Sequence, residues 1–358
     1  MYSAMAIAFC VSVILGEMIV LTEHLHGHLT HDAINGSQKI HRHAVPRIGG
    51  VAVFVGVICG GAVMTFGGQN LWLYFVLSCM PAFLSGLVED LTKKVSVRAR
   101  LLATVIAGAG FSLMTGYSLH HFGVPYVDNL LTWRLAALLF TGFAVGGVAN
   151  AINIIDGCNG LASGTAMMLL GTFAYIAWNV DDNSLFLVIL TFLGAIAGFF
   201  VMNFPRGLIF LGDAGAYSIG FLLAALAVAL PARNPEVSPV IGLLVLIYPV
   251  SETLFSIARR FRAPQGKVDQ PDRKHLHSLV FRALRYVVPD PTNRNSISSL
   301  LVWGLPLLSA ITAASLEEAK TRTVLIAVVL NALIYVLAYR VTLSRVSSRR
   351  RGRLRHRS

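Results

Sequence analysis

The chain has 358 residues, of which 55% are hydrophobic and only 13% charged, and its mean hydropathy is +0.69. A soluble domain carries about twice that charged fraction, so lipid is the solvent for most of this chain. The net charge of +12 does not point to nucleic acid, because the basic residues fall between apolar runs and in the tail, where membrane topology accounts for them.

Apolar runs long enough to cross a bilayer lie near 2–22, 48–66, 71–89, 99–118, 134–151, 160–179, 184–203, 214–231, 238–258, 297–315 and 322–340. The first ends without a small-residue cleavage site and reads as a retained helix. The gap at 180–183 holds Asp181, Asp182 and Asn183, a turn composition. About eleven spans predict an all-α polytopic bundle, with one transmembrane domain over 1–340 and a basic tail over 341–358. The cysteines form no CxxC pair, so neither zinc nor a disulfide framework is implied.

An odd number of spans puts the termini on opposite sides. Of the 29 Lys and Arg residues, all but Arg134, Arg233, Lys320 and Arg322 fall on the side holding loops 23–47, 91–98, 204–213 and 259–296 and the tail, with Arg100 counted at a span edge. That bias makes this side cytoplasmic, leaving the N-terminus outside and the C-terminus inside.

The polar segments gather on the same side: KIHRHAVPRIGG (39–50), GLVEDLTKK (86–94), NAINIIDGCNGLASG (150–164), FPRGLIFLGDAGAYSIG (204–220) and the basic stretch 259–279. Five separated segments converging on one face describe a site at a membrane surface. Glu89 and Asp90 end an apolar run, where a carboxylate is either a solvated helix end or functional. Asp156 follows Asn150 and Asn153, which share a helix face, in a stretch too rich in glycine for a simple cap. Asp213 opens a helix, where it serves either as a cap or beside an anion and a divalent metal. Three carboxylates, glycine turns and nearby Lys, Arg and His are the components of Mg²⁺-assisted phosphoryl chemistry. Lys39, His41, Arg273, His275 and His277 are donors suited to a pyrophosphate. No Walker A, GxSxG or HExxH pattern occurs. The aspartate spacings of UbiA-type prenyltransferases and CDP-alcohol phosphotransferases are absent. A transporter would place charges near the midplane.

Taken together, K-x-H-x4-PR-x-GG at 39–50, G-x2-ED at 86–90, NAINIIDGCNGLA at 150–162, FLGDAGAYSIG at 210–220 and PDRKHLH at 271–277 resemble, in order, the motifs of the polyprenyl-phosphate N-acetylhexosamine-1-phosphate transferase superfamily, or glycosyltransferase family 4. PDRKHLH is closer to the branch that starts O-antigen and enterobacterial common antigen than to the related phospho-N-acetylmuramoyl-pentapeptide transferases. The resemblance implies a bacterial inner-membrane enzyme with a cytoplasmic active site. It would move a sugar-1-phosphate, an N-acetylhexosamine-1-phosphate, from a UDP-sugar to undecaprenyl phosphate, release UMP, and start a cell-envelope polysaccharide such as lipopolysaccharide. The expected cofactor is Mg²⁺, or Mn²⁺ in its place, on Asp213 with Asp156. Glu89, Asp90 and Asp156 are the expected catalytic residues. Lys39, His41, Arg47, Asn153, Asn159, Arg273, His275 and His277 are the expected substrate contacts. A homodimer is a further expectation.

Four positions depart from the family's pattern: Glu89 and Asn159 stand where Asp is usual, Ser278 where a third His is frequent, and Ala216 where Ser is common. Asn159 is therefore expected to hydrogen-bond the nucleotide-sugar without serving as an anionic ligand, and to tolerate Asp.

Overall fold

The computed structural model describes residues 2–30, 45–262 and 274–355, with side chains to 347. It is helical, without strands among those residues. The helices are α1 (Ser3–Leu21), α2 (Glu23–Thr30), α3 (Gly49–Phe66), α4 (Leu71–Thr92), α5 (Val97–Thr115), α6 (Pro125–Leu131), α7 (Arg134–Ile155) and α8 (Leu161–Asn179), followed by α9 (Asn183–Asn203), α10 (Gly212–Arg233), α11 (Ile241–Val245), α12 (Ile247–Phe261), α13 (Leu276–Ala283), α14 (Pro291–Val302), α15 (Gly304–Ser315) and α16 (Thr321–Arg355). Among the described residues, ten segments are long and apolar enough to cross a membrane, α14 and α15 counting together as one.

The eleventh expected span, 238–258, is interrupted at Leu246 between α11 and α12. Pro249 explains the break. Its ring nitrogen has no hydrogen to give the carbonyl of Val245 one turn back. Ser309 Oγ, from α15, lies 3.3 Å from that carbonyl and supplies a donor, as irregular backbone inside a bundle requires. At the other boundary, α16 runs through residue 340 without interruption into the basic tail.

Helix α10 is the axis of the bundle. It packs against α3, α4, α7 and α8 and is buried along almost its whole length, in contrast to α1, α5 and α16, which keep broad apolar faces outward. Close packing comes from small residues, the usual device where lipid removes the hydrophobic incentive to associate. Helix α1 buries only Ala4, Ala8, Ser12 and Gly16, a stripe four residues apart, and lays it on α3 and α9. A Cβ at Gly60 of α3 would stand 2.6 Å from the Ala4 carbonyl oxygen. Phe54 and Phe83 stack at 4.0 Å across α3 and α4.

Candidate active site

The first turn of α10 organises one end of the bundle. Asp90, on the last turn of α4, is fully buried. Its Oδ1 and Oδ2 accept the backbone N–H groups of Asp213 and Ala214, each at 2.9 Å. Those groups have no partner within α10, so a carboxylate from α4 caps α10. Gly86, one turn earlier on α4, makes this approach feasible, because a Cβ there would collide with the backbone of Ala214. Residues 46–50 complete the cradle: Phe210 N–H donates to the Pro46 carbonyl at 2.8 Å, and Gly49 and Gly50 donate to Phe210 and Leu211 at 2.9 and 2.8 Å.

The Asp213 side chain is held by cations from two other segments. Arg47 Nη2 lies 2.5 Å from Oδ1, Arg100 Nη1 pairs with Oδ2, and Asn153 Nδ2 donates to Oδ1 at 3.1 Å. Arg47 also approaches Asp90 Oδ1 at 3.6 Å. Glu89 faces the same cluster, 3.9 Å from Arg100, while its other oxygen accepts the Val95 N–H at 2.8 Å.

Asp156 caps the C-terminus of α7. It is half-buried, and its carboxylate makes no hydrogen bond among the described residues. Loss of water pushes its pKa up to about 7; Arg47 opposes the rise, and the charges of Asp213 and Asp90 add to it.

The loop after Asp156 is anchored rather than open. Asn159 is buried: its backbone N–H donates to Asn295 Oδ1 at 2.7 Å, its carbonyl accepts from Ser299 Oγ at 2.7 Å, and its Nδ2 donates to the Pro205 carbonyl at 3.0 Å. Gly160 N–H donates to Asn203 Oδ1 at 2.6 Å. These bonds make Asn159 the knot between this loop, the 204–210 turn and α14. They give Asn159 a structural role beside the expected contact with the nucleotide-sugar. They also explain the amide: only a donor can face the Pro205 carbonyl, and a carboxylate could not.

His275 and His277 lie against this loop. Both are buried, with rings parallel to within 6° and centroids 5.7 Å apart. His277 packs where a Cβ on Gly157 would otherwise be, so glycine is required there. Its Nδ1 is buried without a hydrogen-bond partner among the described residues, and burial pushes its pKa down to about 4, with Glu252 opposing and His275 adding to the effect.

Of the expected site residues, Glu89, Asp90, Arg47, Asn153, Asp156 and Asp213 come together, with His275, His277 and Asn159 across the 156–160 loop. Lys39, His41 and Arg273 lie outside the described residues. Sequence reasoning missed Arg100, which looked like one more topology charge in VRARLL. It also missed Glu252, a single carboxylate inside an apolar run and thus a readable signal. At the far end of α10 a separate cluster ties Arg233 to Asp182 at 2.6 Å and to Tyr117 at 3.0 Å. Asp182 caps α9 through Leu185 N–H at 3.1 Å, and its bonds to Arg233 hold its pKa below the usual range although burial pushes the other way.

Residues 72–231 match the family model described as glycosyl transferase family 4. That stretch contains Glu89, Asp90, Arg100, Asn153, Asp156, Asn159 and Asp213. Over 243 residues the chain is 27% identical to the Bacillus subtilis (strain 168) protein named "Probable undecaprenyl-phosphate N-acetylglucosaminyl 1-phosphate transferase", covering 67% of each chain. Over 255 residues it is 26% identical to the undecaprenyl-phosphate alpha-N-acetylglucosaminyl 1-phosphate transferase of Escherichia coli (strain K12), covering 69% of this chain and 68% of the relative. It is 27% identical over 255 residues, with the same coverage, to the protein of that name from Salmonella typhimurium (strain LT2). With its motifs on one end of a helical membrane bundle, the chain matches the glycosyl transferase family 4 model over residues 72–231 and is similar to relatives that share the description of undecaprenyl-phosphate N-acetylglucosaminyl 1-phosphate transferases.

Proposed function

We propose that this protein transfers an N-acetylhexosamine-1-phosphate from a UDP-sugar to undecaprenyl phosphate. An oxygen of the lipid phosphate attacks the β-phosphorus, the bond from that phosphorus to the bridging oxygen breaks, and UMP leaves with the electron pair. The observation that carries the reading is the Asp213 carboxylate at the N-terminus of α10, held by Arg47, Arg100 and Asn153 beside the Asp156 carboxylate, which has no hydrogen-bond partner among the described residues.

A lipid phosphate monoester has a second pKa near ~6 and is largely ionised at neutral pH. The protein's main task is then to bring two anions into line and balance their charge, more than to remove a proton. Arg47 and Arg100 suit the phosphates because a guanidinium binds them in a fork. His275 and His277 supply further contacts. Asp90 holds the first turn of α10 in place, a positioning role that its two bonds to backbone N–H leave it. Glu89, with one oxygen facing Arg100, is the carboxylate left to orient the lipid phosphate.

Hard oxygen donors on Asp213 and Asp156, charges that destabilise each other, fit a divalent cation such as Mg²⁺ or Mn²⁺. Such an ion would neutralise charge on the diphosphate.

The functional test is incubation of the purified protein with labelled UDP-N-acetylhexosamines, undecaprenyl phosphate and Mg²⁺. UMP release coupled to a labelled lipid is expected; no transfer from any of these donors would overturn the reading. The site is assigned to the cytoplasmic face of the bacterial inner membrane on the Lys and Arg bias. Reporter fusions after Lys94, Gln265 and Arg351 should read as cytoplasmic, and those after Ser118, Asn183 and Ala232 as external. An external reading at Gln265 would refute the orientation.

A further inference from the structure

Glu252 is a charged residue with no solvent exposure, in the middle of α12 and outside every motif that defines the site. Burying a carboxylate costs several kcal/mol unless hydrogen bonds replace water. The donors around Glu252 show what holds it. Oε1 lies 2.9 Å from His275 Nδ1, and Oε2 accepts from the Tyr335 hydroxyl of α16 at 3.0 Å. Both oxygens lie 3.3 Å from the N–H of Leu276, the first residue of α13. One carboxylate therefore caps α13, ties it to α12 and α16, and grips the imidazole at the helix start. Ser256 Oγ approaches the same Nδ1 at 3.2 Å.

This grip selects a tautomer. An ionised carboxylate only accepts hydrogen bonds, so Nδ1 of His275 carries the proton, and Nε2 makes no hydrogen bond among the described residues. The ring cannot rotate about its side-chain bonds without breaking the bond to Glu252, and it lies parallel to His277, which abuts Gly157. We propose that Glu252 is a positioning residue for the transfer reaction: it fixes the ring plane of His275 and holds its Nδ1–H, so that once Nε2 takes a proton from solvent the imidazolium donates Nε2–H to the phosphates of the diphosphate-bearing substrate. Glu252 touches no substrate itself, and Tyr335 steadies its second oxygen. The inference rests on the reading of His275 as a phosphate contact.

The test is a double-mutant cycle on the full-length protein in detergent, with kcat and KM measured for Glu252→Gln, His275→Ala and the double variant. If Glu252 acts through His275, Glu252→Gln lowers kcat about tenfold or more in the native background and less than about threefold once His275 is Ala, because coupled residues are not additive. Glu252→Asp recovers part of the rate. Losses that multiply in the double variant would overturn the proposal and leave Glu252 a helix cap. A second measurement needs no activity: the imidazole ¹⁵N spectrum of the wild-type protein, labelled in histidine and with His275 assigned by its response to added UMP and by His275→Asn. An Nδ1-protonated His275 is expected, and an Nε2-protonated, Nδ1-bare ring would overturn the proposal. Absence of transfer by wild-type protein would refute the enzymatic reading instead, while the spectrum still decides the tautomer.

Discussion

Asp90 accepts the backbone N–H of Asp213 at 2.9 Å, so the carboxylate at the end of α4 sets where the carboxylate at the start of α10 stands. The two acids that sequence reading treated as parallel members of one constellation do different work. Asp213 presents its side chain to Arg47, Arg100 and Asn153. Asp90 has turned both oxygens to the backbone.

That division gives a prediction for Asp90. Replacement by Ala leaves two buried N–H groups without an acceptor, at about 1–3 kcal/mol each if water cannot reach them. Asp90→Ala should lower both the thermal unfolding midpoint in detergent and kcat, and Asp90→Asn, which keeps one acceptor, should lie between. A native midpoint with abolished transfer would mean that Asp90 acts on the substrate directly.

Arg100 should behave differently. Arg100→Gln removes a cation from the Asp213 carboxylate without opening the fold, since the residue sits at the start of α5 near the bundle end. We expect kcat to fall by about tenfold or more, the scale for loss of one electrostatic group. The Mg²⁺ concentration for half-maximal rate should also fall, because Asp213 is released from a competing partner. Arg100→Lys should not restore the rate, as an ammonium lacks the fork. An unchanged metal titration would separate Arg100 from the metal-binding reading.

For Asn159 the structure adds a structural role to the expectation drawn from the motif. Asn159→Asp sets a carboxylate where an amide donates to the Pro205 carbonyl at 3.0 Å. It should destabilise the protein by about 1–3 kcal/mol, the penalty for unmatched buried polar groups. Asn159→Ala should lower stability as well, with KM for the nucleotide-sugar moving less than the unfolding midpoint. Native stability with a raised KM would return Asn159 to the substrate.

His277 predicts how stability varies with pH. Its pKa in the folded chain is pushed down to about 4 by burial, from 6.5. Below pH 6.5 the unfolded chain takes up a proton that the folded chain excludes, so stability is intact above that pH and is lost as pH falls toward 4. Between pH 7.5 and 5 the loss attributable to this group is about 2 kcal/mol, at 1.36 kcal/mol per pKa unit. Unfolding midpoints of wild-type protein and His277→Asn, measured across this range, should diverge at neutral pH and converge toward pH 5. Parallel curves would contradict the role given to His277.

Much of this arrangement was legible in the chain itself. The length of each apolar run fixed the spans, and the single-sided clustering of DGCNG, LGDAG and PRIGG fixed which ends of the helices converge. The interruption at Leu246 was concealed by hydropathy, which registers apolar character and not whether Val245 has a donor; Pro249 was the visible warning. Arg100 was concealed because a charge that fixes topology and a charge that binds a carboxylate have the same composition. The structural ties of Asn159 were concealed because its partners, Pro205, Asn295 and Ser299, come from segments with no motif of their own, and only their spatial convergence shows that its backbone and its Nδ2 are engaged.

The burial of α10 also bears on how the protein is made. Four of the helices that pack on it, α3, α4, α7 and α8, precede it in the chain, as do Arg47 and Arg100, and α11 follows it. When the ribosome delivers α10, most of its cradle is already in the bilayer. A helix with an acid at its end can then pass from the translocon into a prepared slot where two guanidinium groups await it, without residing in lipid on its own. Changes that widen or close the slot, such as a larger residue at Gly86, should then show first as degradation of newly made chains, before any effect on catalysis can be measured.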